Sequence, residues 1–319
     1  MSFVAVVVGL ALLVWGSDRF VHGASATARN LGVSPLIIGL TIVGVGTSAP
    51  EALVSVTAAL NGNPGIAIGN ALGSNIANIG LVLGITALVR GVTVRSKIFR
   101  LEFPIMFGVI GLAWLLLSDG TLDESDGLIL SLAFLLLLLF MTVIAVRARR
   151  WDPLQREFTR EIPVDVGTAM ALLWFVIGLA ALLIGSKIIV WGAVSIARSL
   201  EVSDLLIGLT VIAVGTSLPE LAASITSVLK NEPDIAVGNV IGSNMFNVLP
   251  VLALPGLIAP TPVPPEALQR DFPVMLTLSV ALVVMAWGFR GSGRIARWEG
   301  GVLLLAFFCY QGLLYVSAS

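Results

Sequence analysis

Long apolar runs alternate along this chain with short breaks rich in glycine, proline and polar residues. The runs Met1 to Gly16, Phe103 to Leu117, Leu128 to Val146, Met170 to Ile184, Pro273 to Trp287 and Gly301 to Tyr315 each approach the roughly 20 residues that a helix needs to cross a bilayer. No lysine or arginine precedes the first run, and that segment has a counterpart later in the chain, so it reads as a first span rather than a cleaved leader. Two further stretches, Ile37 to Leu60 and Leu206 to Leu229, have the length of a span but carry glycines, a proline and a single glutamate. Turn signals at Gly23 to Ser34, Asn61 to Pro64, Arg90 to Arg100, Ser118 to Gly127 and Arg147 to Asp165 mark off about five spans in the first half.

The whole pattern occurs twice. At an offset of 169 residues, Gly16-Ser17 matches Gly185-Ser186, Ala28-Arg29 matches Ala197-Arg198, and Gly39-Leu40-Thr41 matches Gly208-Leu209-Thr210. The register holds through Gly46-Thr47-Ser48-Ala49-Pro50-Glu51 against Gly215-Thr216-Ser217-Leu218-Pro219-Glu220, and through Gly69 to Asn75 against Gly238 to Asn244. Residues 1–146 form a first repeat, 147–165 a short loop and 166–319 a second repeat, with motif segments at 39–80 and 208–249. An odd number of spans per half forces the halves to be inverted in the membrane. The expected fold is an all-α integral membrane protein of about ten transmembrane helices, in two inverted five-helix repeats with broken helices where the glutamates lie.

Charge tests that layout. Lysine and arginine collect in cytoplasmic loops. Arg29, Arg90, Arg95, Lys97, Arg100, Arg147, Arg149, Arg150, Arg156, Arg160, Lys230, Arg290, Arg294 and Arg297, fourteen of the eighteen basic residues, fall on one side of this layout, and only Arg198 and Arg270 fall opposite. Arg19 and Lys187 lie near span ends, where long side chains reach the interface. Both termini are therefore expected outside the cell membrane, with the central loop in the cytoplasm. Glu102, close to Arg100 at a span end, reads as interfacial.

Composition agrees and excludes other classes. The chain is 57% hydrophobic and 12% charged with mean hydropathy +1.01, whereas about a quarter of an ordinary soluble domain is charged. A single cysteine, Cys309, excludes an intramolecular disulfide and a cysteine metal cluster, and a single histidine, His22, leaves no zinc-hydrolase motif. No nucleic-acid signature is present, no resident cofactor is expected, and no nucleophile and base can be paired at membrane depth, so an enzyme is not expected.

The chemistry concentrates at the twin glutamates. A carboxylate in an apolar span is expensive and marks an ion or substrate path. Pro50 and Pro219 cannot donate a backbone hydrogen bond and crowd the carbonyls of Gly46 and Gly215, so the helix is expected to break there and free carbonyl oxygens. At helical spacing Thr47 and Ser48 share a face with Glu51, as Thr216 and Ser217 do with Glu220; Ser74 and Asn78 are four apart in the next span, mirrored by Ser243 and Asn247. All offer oxygen, which suits hard cations such as Ca²⁺ and Na⁺. With no base at that depth, mobile cations must neutralise Glu51 and Glu220, and competition of alternative loads for one site would make exchange obligatory. The glycines at 69, 73, 238 and 242 fit close helix packing as well as an ion path, and Asn70, Asn75, Asn239 and Asn244 read as interhelical hydrogen-bonders.

At these residues the sequence resembles the cation/calcium exchanger superfamily, whose repeats carry GTS-x-PE followed by GN-x-x-GSN. The resemblance covers nearly the whole chain. It implies electrogenic exchange of several Na⁺ for one Ca²⁺ by alternating access, with the first and sixth helices sliding against the rest. It implies calcium ligands at the carboxylates of Glu51 and Glu220 and the backbone oxygens of Thr47 and Thr216. Sodium sites would add the hydroxyls of Thr47, Thr216, Ser48, Ser217, Ser74 and Ser243 and the carbonyls of Gly44 and Ala213, with Asn78 beside the central site. Asn247 stands where several members have Asp, which argues against K⁺ co-transport, and Gly44 replaces an Ala-like position. H⁺/Ca²⁺ exchange, K⁺-dependent exchange and a cation-binding sensor that transports nothing remain as alternatives. The partners expected are Ca²⁺, Na⁺ and the lipid bilayer, with a monomer as the working oligomeric state.

Overall fold

The computed structural model describes residues 2–33, 35–94, 99–151, 166–199, 213–287 and 293–318. The first helix, α1, spans Ser2–Leu31. A broken span follows, made of α2 over 35–47 and α3 over Ala49–Leu60, bent by 48°. Then come α4 (Pro64–Val89), α5 (Phe99–Leu117) and α6 (Glu124–Trp151). The second half repeats the series with α7 (Thr168–Ser199), α8 (Ala213–Thr216), α9 (Leu218–Leu229), α10 (Pro233–Ile258), α11 (Ala267–Ala286) and α12 (Arg297–Ala318).

Among the described residues seven helices are long and apolar enough to cross a membrane singly. The bent pair α2–α3 makes an eighth crossing, and the shorter apolar helices Leu101–Leu117 and Leu218–Leu229 complete the expected ten. The chain is a multi-span membrane protein. The stretch 152–165, most of the expected central loop, and the segment 208–212 of the second motif lie outside the described residues.

Four short strands show how the halves are related. These are β1 (Val92–Val94), β2 (Thr121–Leu122), β3 (Thr261–Pro262) and β4 (Gly293–Ile295). At the offset of 169, β3 is the counterpart of β1, and β4 falls just after the counterpart of β2. Counterparts do not pair with each other. Instead β1 pairs antiparallel with β4, Thr93 opposite Arg294, and β2 pairs antiparallel with β3, Leu122 opposite Thr261. The helix α5 separates β1 from β2 by its 19 residues, about 28 Å of rise. Each half thus puts its first strand beside the second strand of the other, at opposite ends of the bundle, which only an inverted arrangement allows.

The two ends differ in charge. Around the β1–β4 ribbon, Arg90 donates to the carbonyl of Val228 at 3.2 Å, Arg297 donates to those of Leu88 and Val89, and Lys230 follows the end of α9. Around β2–β3 lie Asp119, Asp123 and Glu124. The α4 and α10 spans are mostly buried at the centre, while α6 and α12 leave large apolar side chains such as Leu135, Leu139, Leu305 and Phe308 on the outer face, as lipid contact demands.

The first helices of the two halves, α1 and α7, run antiparallel against each other along their length. Glycines recur every seven residues on both, at 9, 16 and 23 and at 178, 185 and 192, and these are counterparts. A Cβ at Gly178 would lie 2.3 Å from the Phe20 nitrogen, and one at Gly23 would lie 2.4 Å from the Phe175 nitrogen. Glycine is what lets the two backbones meet.

Candidate functional site

The broken span builds the site. The turn between α2 and α3 falls at Ser48 (φ −86°, ψ 10°) and that between α8 and α9 at Ser217 (φ −86°, ψ 3°), one residue before the second helix begins. Pro50 and Pro219 occupy the first turn of α3 and α9, where a missing N–H disrupts no helical bond. Of the two carbonyls expected to be freed, that of Gly215 accepts the hydroxyl of Ser186 on α7 at 2.7 Å. Glu51 and Glu220 follow in the first turns of α3 and α9, both fully buried and within Coulombic reach of each other.

Groups from the two halves interlock around them. Ser48 donates to Glu220 Oε1 at 2.9 Å, across 172 positions of sequence. Thr47 Oγ1 lies 3.0 Å from Asn239 Oδ1, to which it donates, and 3.5 Å from Ser243 Oγ. Ser243 donates to the carbonyl of Gly44 at 3.3 Å. Asn78 donates through Nδ2 to Asn244 Oδ1 at 3.1 Å.

Close backbone approach accounts for Gly44: a Cβ there would lie 2.8 Å from the Ser243 nitrogen. From the other side, a Cβ at Gly242 would meet the Leu40 carbonyl oxygen at 2.2 Å. The glycines at 238 and 242 therefore seat α2 on α10. Among the described residues no atom lies within 4 Å of a Cβ built at Gly69 or Gly73; their partner segment by symmetry, 208–212, is outside those residues.

The α4 and α10 spans each open into a π-helical turn that begins at Asn78 and Asn247, over Asn78–Leu83 and Asn247–Val251. Such wide turns are frequent at functional sites. They place Asn78 and Asn247 in the core, fully buried. Several buried oxygens here have no donor: both carboxylate oxygens of Glu51, Oε2 of Glu220, Oγ of Ser217, and Oδ1 of Asn78 and Asn247. Among the described residues no lysine or arginine forms an ion pair with either glutamate. Ser74 is buried one turn before Asn78, while Thr216 and Ala213 lie on the short helix α8.

Asn70 and Asn239 behave as the interhelical bonders expected, and they do so at the site itself. Asn70 donates to the backbone carbonyl of Glu51 at 3.1 Å; Asn239 donates to that of Glu220 at 3.3 Å and to Ser224 Oγ at 3.0 Å. Ser55 and Ser224, each buried and four residues beyond a glutamate, are site groups that sequence reasoning passed over. Their signal was the helical spacing to Glu51 and Glu220, repeated in both halves.

The chain matches the sodium/calcium exchanger protein family over residues 1–143 and 170–316. Inner membrane protein YrbG of Escherichia coli (strain K12) is 45% identical over 311 residues, covering 97% of this chain and 95% of that one. Sodium/calcium exchanger MaX1 of Methanosarcina acetivorans is 32% identical, covering 99% of each chain. Among solved structures, the sodium-calcium exchanger NCX_Mj soaked with 2.5 mM Na⁺ and 0.1 mM Ca²⁺ superposes with a TM-score of 0.82 at 33% identity, over 97% of this chain and 96% of that one. The two matched segments flank the central loop, and this chain belongs to the sodium/calcium exchanger protein family.

Proposed function

We propose that the protein is a secondary active antiporter that exchanges Na⁺ for Ca²⁺ across the cell membrane, electrogenically and by alternating access. The observation that carries the reading is the set of buried, donor-less oxygens around two carboxylates from opposite halves, with no ion pair to a basic residue among the described residues. Buried carboxylates without a base require a cation, and many oxygens favour a hard one. Ca²⁺ would take the carboxylates of Glu51 and Glu220 and the backbone oxygens of Thr47 and Thr216. Na⁺ would use the same carboxylates with the hydroxyls of Thr47, Thr216, Ser48, Ser217, Ser74 and Ser243 and the carbonyls of Gly44 and Ala213, Asn78 and Asn247 lying beside them. The loads are mutually exclusive because they share Glu51 and Glu220, and the unloaded pair is too costly to carry across the closed state.

The arginine-bearing end around β1–β4 is assigned to the cytoplasm on the positive-inside rule, which puts both termini outside and the central loop within. On that side α1 is held against α9, with Thr226 donating to Ser17 at 2.8 Å and Lys230 bridging to Asp18 at 2.7 Å. Among the described residues the equivalent packing of α7 on α3 is much less extensive. The cytoplasmic path is therefore the closed one, and the conformation faces outward.

The test is calcium uptake by proteoliposomes loaded with Na⁺ and diluted into choline medium, for the wild type, Glu51→Gln and Glu220→Gln. Uptake that requires the outward Na⁺ gradient and disappears in both variants is expected. Uptake driven only by a pH gradient would replace Na⁺ with H⁺, and binding without flux would make the protein a sensor.

A further inference from the structure

The first helices of the two halves carry a serine at counterpart positions, Ser17 on α1 and Ser186 on α7, and both are buried. Their sequence settings match, Gly16-Ser17 against Gly185-Ser186, yet their hydrogen bonds differ. Ser186 donates to the carbonyl of Gly215, in the broken turn of its own half, at 2.7 Å. Ser17 returns its proton to the carbonyl of Val14 in its own helix, at 2.9 Å, and accepts from Thr226 on α9 of the other half at 2.8 Å. The counterpart of Thr226 is Thr57 on α3, which stands exposed. Packing shows the same asymmetry. A Cβ built at Gly46 would meet Leu179 at 3.2 Å and one at Gly215 would meet Val190, so α7 supplies the nearest atoms at both broken turns, while α1 packs along α9.

A buried hydroxyl needs a hydrogen-bond partner, and a serine in a helix has one at hand in the carbonyl three or four residues back. It can leave an outside partner without stranding its proton. Serine therefore suits a contact that is made in one conformation and broken in another. Nothing local separates Ser17 from Ser186; the difference lies in where α1 and α7 rest on the other helices. Two copies of one sequence packed inverted can take each other's arrangement. For these contacts the exchange sends Ser17 to the Gly46 carbonyl, with Val21, the counterpart of Val190, over Gly46. It sets Ser186 on α3 as the acceptor for Thr57, as Ser17 now accepts from Thr226.

We propose that Ser17 and Ser186 are positioning residues that trade roles when the protein changes the side it faces, Ser186 capping Gly215 in this conformation and Ser17 capping Gly46 in the other. Each cap ties the segment that bears Thr216 or Thr47 to the α1–α7 pair, and the other serine meanwhile docks on the threonine of the opposite half. The proposal rests on the alternating-access reading and adds to it which contacts are exchanged.

Thr57→Ala decides, because in this conformation the side chain is exposed and its loss should cost little. Ser227 is buried here, so maleimide labelling of Ser227→Cys, in a Cys309→Ser background in proteoliposomes, reports the opposite-facing form. Thr57→Ala should slow that labelling roughly two- to tenfold, the equilibrium effect of one buried hydrogen bond, and Thr57→Ser should restore it. Thr226→Ala should speed it by a similar factor, since its bond belongs to the present conformation. Without Ser227→Cys, oxidation of the double variant Thr57→Cys, Ser186→Cys should link positions 57 and 186 within one chain. Labelling that Thr57→Ala leaves unchanged, slowing that Thr57→Ser fails to restore, or absence of the 57–186 link while Ser227→Cys is labelled, overturns the proposal and leaves alternating access standing. If Ser227→Cys is never labelled, with Na⁺, with Ca²⁺ or with neither, alternating access falls and the proposal with it.

Discussion

Asn239 is one of the residues through which the two halves meet at the site. Its carbonyl oxygen accepts from Thr47 and its amide donates to the Glu220 backbone and to Ser224, whereas its counterpart Asn70 donates, among the described residues, to the Glu51 backbone alone. Each buried group left without a partner costs about 1–3 kcal/mol. Asn239→Ala should therefore lower the melting temperature and Na⁺-driven uptake more than Asn70→Ala does; equal losses would show that the bridge to Thr47 is idle. A second residue-scale prediction concerns Glu232, in the turn between α9 and α10. Burial, and to a smaller degree Asp234, raise its carboxyl to about 7, against which Arg29 acts. A carboxyl raised on folding binds its proton more tightly in the native state, so its contribution is fully present at low pH and is lost as pH rises through about 7. The melting temperature should fall over that window, and Glu232→Gln should flatten the fall. Glu51, Glu220 and the hydroxyls beside them were legible in the sequence because the motif is local and occurs twice. The partners of Asn239 were not, since Thr47 is 192 positions away and only the fold brings it near.

At the scale of the element, the legible features were the breaks and the illegible ones were the contacts. Glycine and proline beside each glutamate announced a broken helix, but the sequence put the disruption at the proline ring, while the chain turns at the serine two residues earlier and the new helix, starting at Ala49 or Leu218, holds the proline in its first turn. The π-helical turns at Asn78 and Asn247 leave no trace in periodicity, because one extra residue in a uniformly apolar span changes no pattern. Glycine at a helix contact and glycine facing lipid look alike in sequence and should respond oppositely. Gly178→Ala places a methyl against the Phe20 backbone and should cost about 1–3 kcal/mol, seen as a lower melting temperature in detergent. Gly111→Ala on α5, with nothing within 4 Å, should hold or raise it, by up to about 1 kcal/mol of helix propensity.

For the whole molecule, the duplication was readable from identity at a fixed offset, and the inversion from counting spans. The crossed ribbons β1–β4 and β2–β3 were not, since strands of two or three residues carry too little alternation to be seen. Nor could the sequence say which way the protein faces, because that depends on a departure from symmetry: Asp18 and Lys230 have as counterparts Lys187 and Asn61, which cannot form the same pair. Half-exposed pairs contribute about 0.2–1 kcal/mol, so Asp18→Asn should shift the population toward the opposite-facing form by up to about fivefold. Maleimide labelling of Ser227→Cys, in a Cys309→Ser background, measures that shift; unchanged labelling would show that the ion pair holds nothing closed.

The seven-residue spacing of glycines on α1 and α7 bears on the energetics of that exchange. Because the glycines are counterparts, exchanging the roles of the two helices reproduces the glycine contacts, Gly9 against Gly185 becoming Gly178 against Gly16. Contacts that map onto themselves have the same free energy before and after, so under alternating access the glycine seam sets how the helices travel together and leaves their resting place to the rest of the interface, where Phe20 on Phe175 has as its counterpart Ile189 and Val6. The resting preference is left to the few contacts that break the duplication, which makes it small, and open to evolutionary adjustment by single substitutions far from the ions.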